Sequence, residues 1–156
     1  MVNHFTWSEF DKSVEHIYNK CKFMEFSGIY GVPRGGLCLA VALSHKLKIN
    51  LIPKPKKNSL IVDDVYETGV TLNSLKGIEG AKFFVLFSKI SPTWWNTIYK
   101  SEKSEWIVFP WEDNLNPQTD QIEYLKRSTN CPNEQVVALL SVIASKFTTE
   151  TEKNEI

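Results

Sequence analysis

The stretch Ile61-Val62-Asp63-Asp64-Val65-Tyr66-Glu67-Thr68-Gly69-Val70-Thr71-Leu72 decides the fold of this chain. Residues 59–62 form a strand without polar alternation, the pattern of a strand covered on both faces, and they lead straight into two acids. The acids are therefore expected at the strand's carboxyl end. Thr68-Gly69-Val70-Thr71 then enters a helix, expected from 71 to about 76 and ended by Gly77 or Gly80. A helix start turns main-chain N–H groups and the positive end of the helix dipole outward, and here two hydroxyls stand beside them, so a phosphate suits the cup. Asp63 and Asp64 would repel a phosphate directly, but they can accept sugar hydroxyls or hold a Mg2+ that bridges them to phosphate oxygens. Diol, phosphate and metal together point to a sugar phosphate. Taken singly, an Asp-Asp pair is also what a solvated strand end looks like, and Thr-Gly-x-Thr is also a plain helix cap.

Upstream, residues 28–32 are a short apolar run closed by Pro33-Arg34-Gly35-Gly36, and the apolar positions from Leu37 to Leu47 predict a helix that is apolar nearly all round. Thr6 with Glu9 three residues on is a capping box, and Phe10, Val14, Ile17 and Tyr18 share one face of the helix it starts, expected to about Lys22. Further strands are expected at 49–52, 83–87 and 105–109, the last stopped by Pro110. A short helix is expected at 121–126, a last one from Pro132, and fraying beyond 150. Strands alternating with helices predict a three-layer α/β fold on a mainly parallel sheet, and in such sheets ligands sit beyond the carboxyl ends of the strands. The glycine turn at 33–36 and the acids and turn at 63–71 should face one crevice.

The composition narrows the class of function. The chain has 156 residues, within the range of one domain, and 42% of them are hydrophobic, which excludes disordered and low-complexity classes. Eighteen Lys and Arg balance 18 Asp and Glu, so there is no basic excess for coating nucleic acid. The longest apolar run is far below the ~20 residues of a membrane span, and residues 1–11 lack a signal pattern, so neither a membrane nor export is expected. Cys21, Cys38 and Cys131 have neither disulfide nor zinc spacing, which fits the cytoplasm, and His4, His16 and His45 lack metal spacing.

In their joint order, residues 61–72 resemble the phosphoribosyl-diphosphate signature of the type I phosphoribosyltransferases, and Val32-Pro33-Arg34-Gly35-Gly36 looks like that family's pyrophosphate loop. The nearest pattern is that of the bacterial xanthine-guanine enzymes. Phe5-Thr6-Trp7, Lys89 and Trp106-Ile107-Val108-Phe109-Pro110-Trp111 are similar to their pieces, so the resemblance covers about residues 5–113. It implies a Rossmann-like type I phosphoribosyltransferase fold with a small hood, residues 1–156 forming one domain and about 114–156 a hood or helical extension. It implies transfer of the 5-phosphoribosyl group from phosphoribosyl diphosphate to a nucleobase, a 6-oxopurine, with release of pyrophosphate. The alternative is a weakly catalytic or non-catalytic sensor of nucleotide or phosphoribosyl diphosphate on the same fold.

Carried over residue by residue, the resemblance makes Asp63, Asp64 and Glu67 the catalytic acids, with Mg2+ as cofactor held by Asp63 and Asp64. Val65, Tyr66, Thr68, Gly69, Val70 and Thr71 would bind the 5′-phosphate, and Pro33, Arg34, Gly35 and Gly36 the pyrophosphate. Lys89 would donate to the exocyclic oxygen of the base, Trp106 would stack on its ring, and the Ile107 main chain would meet its edge. Trp106 as ordinary core and Lys89 as an exposed strand-end charge are the plain readings of the same residues. A cis peptide is implied at Pro33–Arg34, and the partners are phosphoribosyl diphosphate and a base or nucleotide. A homo-oligomer, dimer or tetramer, is expected, with Phe26, Trp94, Trp95 and Trp111 as candidates for the subunit contact.

The chain departs from the family pattern at two places. Glu67 stands where purine members usually carry Asp, one methylene shorter, to handle the proton at N7. Residues 53–58 occupy the place of a long mobile loop, and at ~3.4 Å each they are too few to close over a ligand. Lys54, Lys56 and Lys57 in that segment either attract pyrophosphate or form a solvated loop.

Overall fold

A computed structural model of the protein describes residues 2–112. The chain divides into two units, Met1–Pro110 and Trp111–Ile156, and the account that follows is of the first. The helices expected at 121–126 and from Pro132 lie outside the described residues.

Strand β1 (Val2–His4) leads into helix α1 (Trp7–Cys21). The expected capping box is present: the Glu9 N–H donates to Thr6 Oγ1 at 3.2 Å, and the Thr6 N–H donates to Glu9 Oε2 at 2.8 Å. Helix α1 buries Phe10, Ser13, Val14, Ile17 and Cys21, one stripe of its surface. Strand β2 (Ile29–Gly31) and helix α2 (Gly36–Leu47) follow. Helix α2 packs on the sheet through Leu39, Ala40 and Leu43, and α1 packs on α2, where Glu15 and Lys46 form an ion pair. The helix expected to be apolar nearly all round is not buried on every side, because Leu37 and Val41, one turn apart, are nearly half exposed.

Strand β3 (Leu60–Tyr66) lies between β2 and β4 (Lys82–Ser88), and β5 (Asn96–Lys100) completes a parallel sheet in the order β2-β3-β4-β5. Helix α3 (Val70–Leu75) follows β3 on the other face of the sheet from α2. There Leu72 joins Val32, Ile61, Tyr66, Phe83, Val85 and Trp95 in one core cluster, while alternation along β3 turns Leu60 and Val62 the other way. Two helical layers thus enclose the sheet, as the sequence predicted. Strand β6 (Trp106–Val108) pairs in parallel with β1 as a separate small sheet. That sheet is tied to β4 and β5 by aromatic edges: Phe5 meets Phe87 at 5.1 Å and Phe109 at 5.7 Å, and Phe87 stacks on Tyr99 at 5.0 Å.

Four local expectations change. β3 runs on through the acids to Tyr66, because its ladder with β4 continues from Leu60↔Lys82 to Tyr66↔Ser88. The strand expected at 49–52 shrinks to a bridge between Leu51 and Ile29. β1 and β5 carry too few apolar residues to have been expected. Trp94 and Trp95, offered above as subunit contacts, pack inward: Trp95 is buried in the α3-side cluster with Trp94 packed against it.

The short connection between α2 and β3 sits at the amino edge of the sheet. The Ile52 N–H donates to Ile29 O at 2.9 Å, the Ser27 N–H to Asn58 O at 2.9 Å and the Asn58 N–H to Glu79 O at 2.9 Å, while Lys57 pairs with Glu79. Because every partner precedes β2, β3 or β4 or sits in its first residues, Lys54, Lys56 and Lys57 lie at the end opposite the acids. That placement removes the reading in which they attract pyrophosphate.

Candidate active site

All strands of the main sheet run in parallel, so β2, β3 and β4 deliver their carboxyl ends to one edge. After β2, the Val32 N–H continues the ladder onto Val62 O at 2.9 Å, and the chain then turns through Pro33, Arg34 and Gly35 into α2. The Pro33–Arg34 peptide is cis, as the resemblance implied. Pro33 and Arg34 are exposed, so the guanidinium is open to solvent at this edge.

Asp63 and Asp64 lie within β3, in the half toward its carboxyl end, with Val65 and Tyr66 still to follow. The Asp64 N–H donates to Asp63 Oδ1 at 2.9 Å, and the Val65 N–H donates to Asp64 Oδ1 at 2.6 Å, so each carboxylate folds back on the main chain of the next residue. Asp63 is only 8% exposed. Burial first, and the neighbouring Asp64 charge second, push the Asp63 carboxyl well above the usual carboxylate range, and burial raises Asp64 as well. Gly35 lies directly against Asp64: a Cβ there would overlap the carboxylate, so only glycine lets the loop after β2 approach the acids after β3. Two motifs far apart in sequence thereby line one crevice.

Beyond β3, Glu67 and Thr68 lead to Gly69, whose φ of 77° lies in the left-handed region and whose missing side chain leaves room for the Tyr66 phenol. The first turn of α3 leaves its N–H groups without intrahelical acceptors, and Thr68, Val70 and Thr71 around it are exposed. Tyr66 is different. Its ring stacks on Trp95 at 3.8 Å and 8°, and its hydroxyl bonds Asn73 Oδ1 at 3.3 Å. Of the residues expected at the phosphate, the Tyr66 side chain is therefore committed to the core beneath the loop, and only its main chain is left for a ligand. Val65 is half-buried.

On β4 the carboxyl end is Ser88, and Lys89 follows with its N–H on Tyr66 O at 2.9 Å. The Lys89 ammonium forms an ion pair with Glu67, and its side chain is 7% exposed. Lys89 is thus not the exposed strand-end charge of the plain reading. The longer arm of Glu67 brings its carboxylate to Lys89, a pairing across adjacent strands that no local sequence signal announces. Trp106 and Ile107 lie on β6, opposite Val2 and Asn3 of β1, with Trp106 half-buried and Ile107 buried. No cluster of three or more His, Cys, Asp or Glu side chains suited to a metal occurs among the described residues. The described residues also include no helix long and apolar enough to cross a membrane.

A glycine loop, an acid pair and a helix-entry turn are gathered at the carboxyl edge of a parallel sheet, the edge at which open α/β proteins as a class bind ligands. Comparison with known proteins narrows this. No family model and no curated protein matches the chain. Among solved structures, a purine phosphoribosyltransferase from Pyrococcus horikoshii Ot3 is 30% identical over 72% of this chain and 94% of its own, with a TM-score of 0.62. A Helicobacter pylori xanthine-guanine-hypoxanthine phosphoribosyltransferase superposes with a TM-score of 0.62 at 21% identity, over 77% of this chain and 98% of its own. A hypothetical protein from Neisseria gonorrhoeae, solved with bound ppGpp, superposes with a TM-score of 0.58 at 17% identity, over 82% and 97%. The chain belongs to the type I phosphoribosyltransferase family.

Proposed function

We propose that the protein transfers the 5-phosphoribosyl group of phosphoribosyl diphosphate to a nucleobase, a 6-oxopurine, and releases pyrophosphate. The observation that supports this reading is the contact of Gly35 with the Asp64 carboxylate, which brings the loop of residues 33–36 beside the acid pair. In the reaction the bond from the anomeric carbon to pyrophosphate breaks while a base nitrogen bonds to that carbon and the base gives up a proton to solvent, through a transition state with positive charge on the ribose. Asp63 and Asp64 accept the ribose hydroxyls and stabilise that charge, and the Arg34 guanidinium with the main chain of residues 33–36 receives the departing pyrophosphate. The turn at 68–71 orients the 5′-phosphate. Lys89 donates to the exocyclic oxygen of the base, beside Glu67, while Trp106 stacks on its ring.

The donor set fits Mg2+. Two adjacent carboxylates, both disfavoured as anions by burial, would be relieved by a hard cation that Asp63 and Asp64 would hold. When bound, Mg2+ supplies neutralisation of the pyrophosphate charge. A homo-oligomer in the cytoplasm remains part of the proposal.

The test is to incubate the protein with phosphoribosyl diphosphate, Mg2+ and each free base in turn, and to follow nucleotide and pyrophosphate. Guanine, xanthine or hypoxanthine should give nucleotide, and no nucleotide with any base would end the reading. The second reading, a sensor of nucleotide or phosphoribosyl diphosphate, draws on the placement of residues 53–58 away from the crevice and on the ppGpp bound by the Neisseria protein. Tight binding of phosphoribosyl diphosphate without product would favour it.

A further inference from the structure

We infer that the same site also splits phosphoribosyl diphosphate with water, yielding ribose 5-phosphate and pyrophosphate; the inference rests on the reading of the crevice as a phosphoribosyl-diphosphate site. A transition state with a positively charged ribose is trapped by whichever nucleophile reaches the anomeric carbon, so selective transfer depends on excluding water. In this chain the connection from α2 to β3, where the family carries its closing loop, is held at the far edge. Ile52 bonds Ile29, the Ser27 hydroxyl bonds Lys57 O at 2.7 Å, the Asn58 N–H bonds Glu79 O at 2.9 Å, and the Leu60 N–H bonds Gly28 O at 3.0 Å. From Leu60 to Glu67 the strand rises roughly 23 Å at ~3.3 Å per residue. A loop of residues 53–58, pinned at both ends, reaches out only about 10 Å before it must return. It cannot cover the crevice.

The groups that open the bond are meanwhile in place. The bond between the anomeric carbon and the pyrophosphate oxygen breaks, and its electron pair leaves on pyrophosphate, taken up at Arg34 and residues 35–36. Water bonds to the anomeric carbon on the face a base would occupy, and its proton passes to solvent. Arg34 is exposed and Thr68 and Thr71 are exposed, so among the described residues the rim of this crevice admits solvent.

The experiment supplies phosphoribosyl diphosphate and Mg2+ without base, in water enriched in oxygen-18, with pyrophosphate and ribose 5-phosphate followed together. Pyrophosphate should appear at least about tenfold faster than in the protein-free blank and should carry no oxygen-18, and ribose 5-phosphate should give way to nucleotide when an accepted base is added. Asp63→Asn with Asp64→Asn should return the rate to the blank. Hydrolysis at the blank rate, while a base still gives nucleotide, overturns this inference and leaves the transferase reading standing. Hydrolysis without nucleotide from any base supports the inference and overturns the transferase reading. Oxygen-18 in pyrophosphate would mean that a phosphorus–oxygen bond breaks, and that also overturns it.

Discussion

Burying Asp63 beside Asp64 costs folding free energy that a neutral residue would not. Both carboxyls sit above their usual range in the folded chain, so between the ordinary value, about pH 4, and the raised values the folded state holds protons that the unfolded chain has released. Their contribution to stability is thus greatest at acid pH and falls as pH rises through that window. Asp63→Asn should raise the urea midpoint of the ligand-free protein by the equivalent of ~1 kcal/mol at neutral pH and flatten the decline with pH, while abolishing pyrophosphate release. A midpoint that drops at every pH would refute the account. Gly35→Ala drives a methyl into the Asp64 carboxylate, at a cost of roughly 1–3 kcal/mol, and should weaken phosphoribosyl-diphosphate binding by at least ~10-fold in calorimetry. That both acids and the glycine face the same edge of the sheet was legible from the strand-acid-turn order. The Glu67–Lys89 ion pair was not, because it joins strands whose register is decided by the sheet.

At the scale of elements, α3 and its entry turn rest on Tyr66 stacked against Trp95, with Trp95 Nε1 donating to Ser88 Oγ at 3.3 Å. Trp95→Ala should cost ~3–5 kcal/mol in chemical denaturation, and hydrogen exchange should quicken first at residues 66–75. The connection between α2 and β3 makes an opposite prediction. Replacing Lys54, Lys56 and Lys57 together by Ser should leave phosphoribosyl-diphosphate affinity unchanged, since these residues lie at the amino edge; a loss of more than ~3-fold at moderate salt would contradict that placement. Helix α1 was legible to within a residue because its capping box and apolar stripe are local. Strand β5 was not, because Asn-Thr-Ile-Tyr-Lys has no burial pattern of its own and is a strand only by pairing with β4.

At the scale of the whole molecule, two sheets are joined by rings rather than by ladder bonds. Phe5, Phe87, Tyr99 and Phe109 form that joint, and Phe5 is buried against the last strands of the main sheet. Phe5→Ala should destabilise the chain by ~3–5 kcal/mol and raise hydrogen exchange in β1 and β6 together, leaving protection in β3 unchanged. Equal loss across β3 would show that the small sheet is not a separate unit of protection. By itself the sequence determined the layers, the parallel sheet and the edge at which the acids and turns are placed, because hydrophobic period, glycine turns and helix caps are local and chemically explicit. Tertiary structure alone decided which motifs touch, which aromatic residues are core, where the shortened connection lies and which charge neutralises Lys89. Those outcomes depend on register and on contacts between residues distant in the chain, and no window of sequence contains both partners.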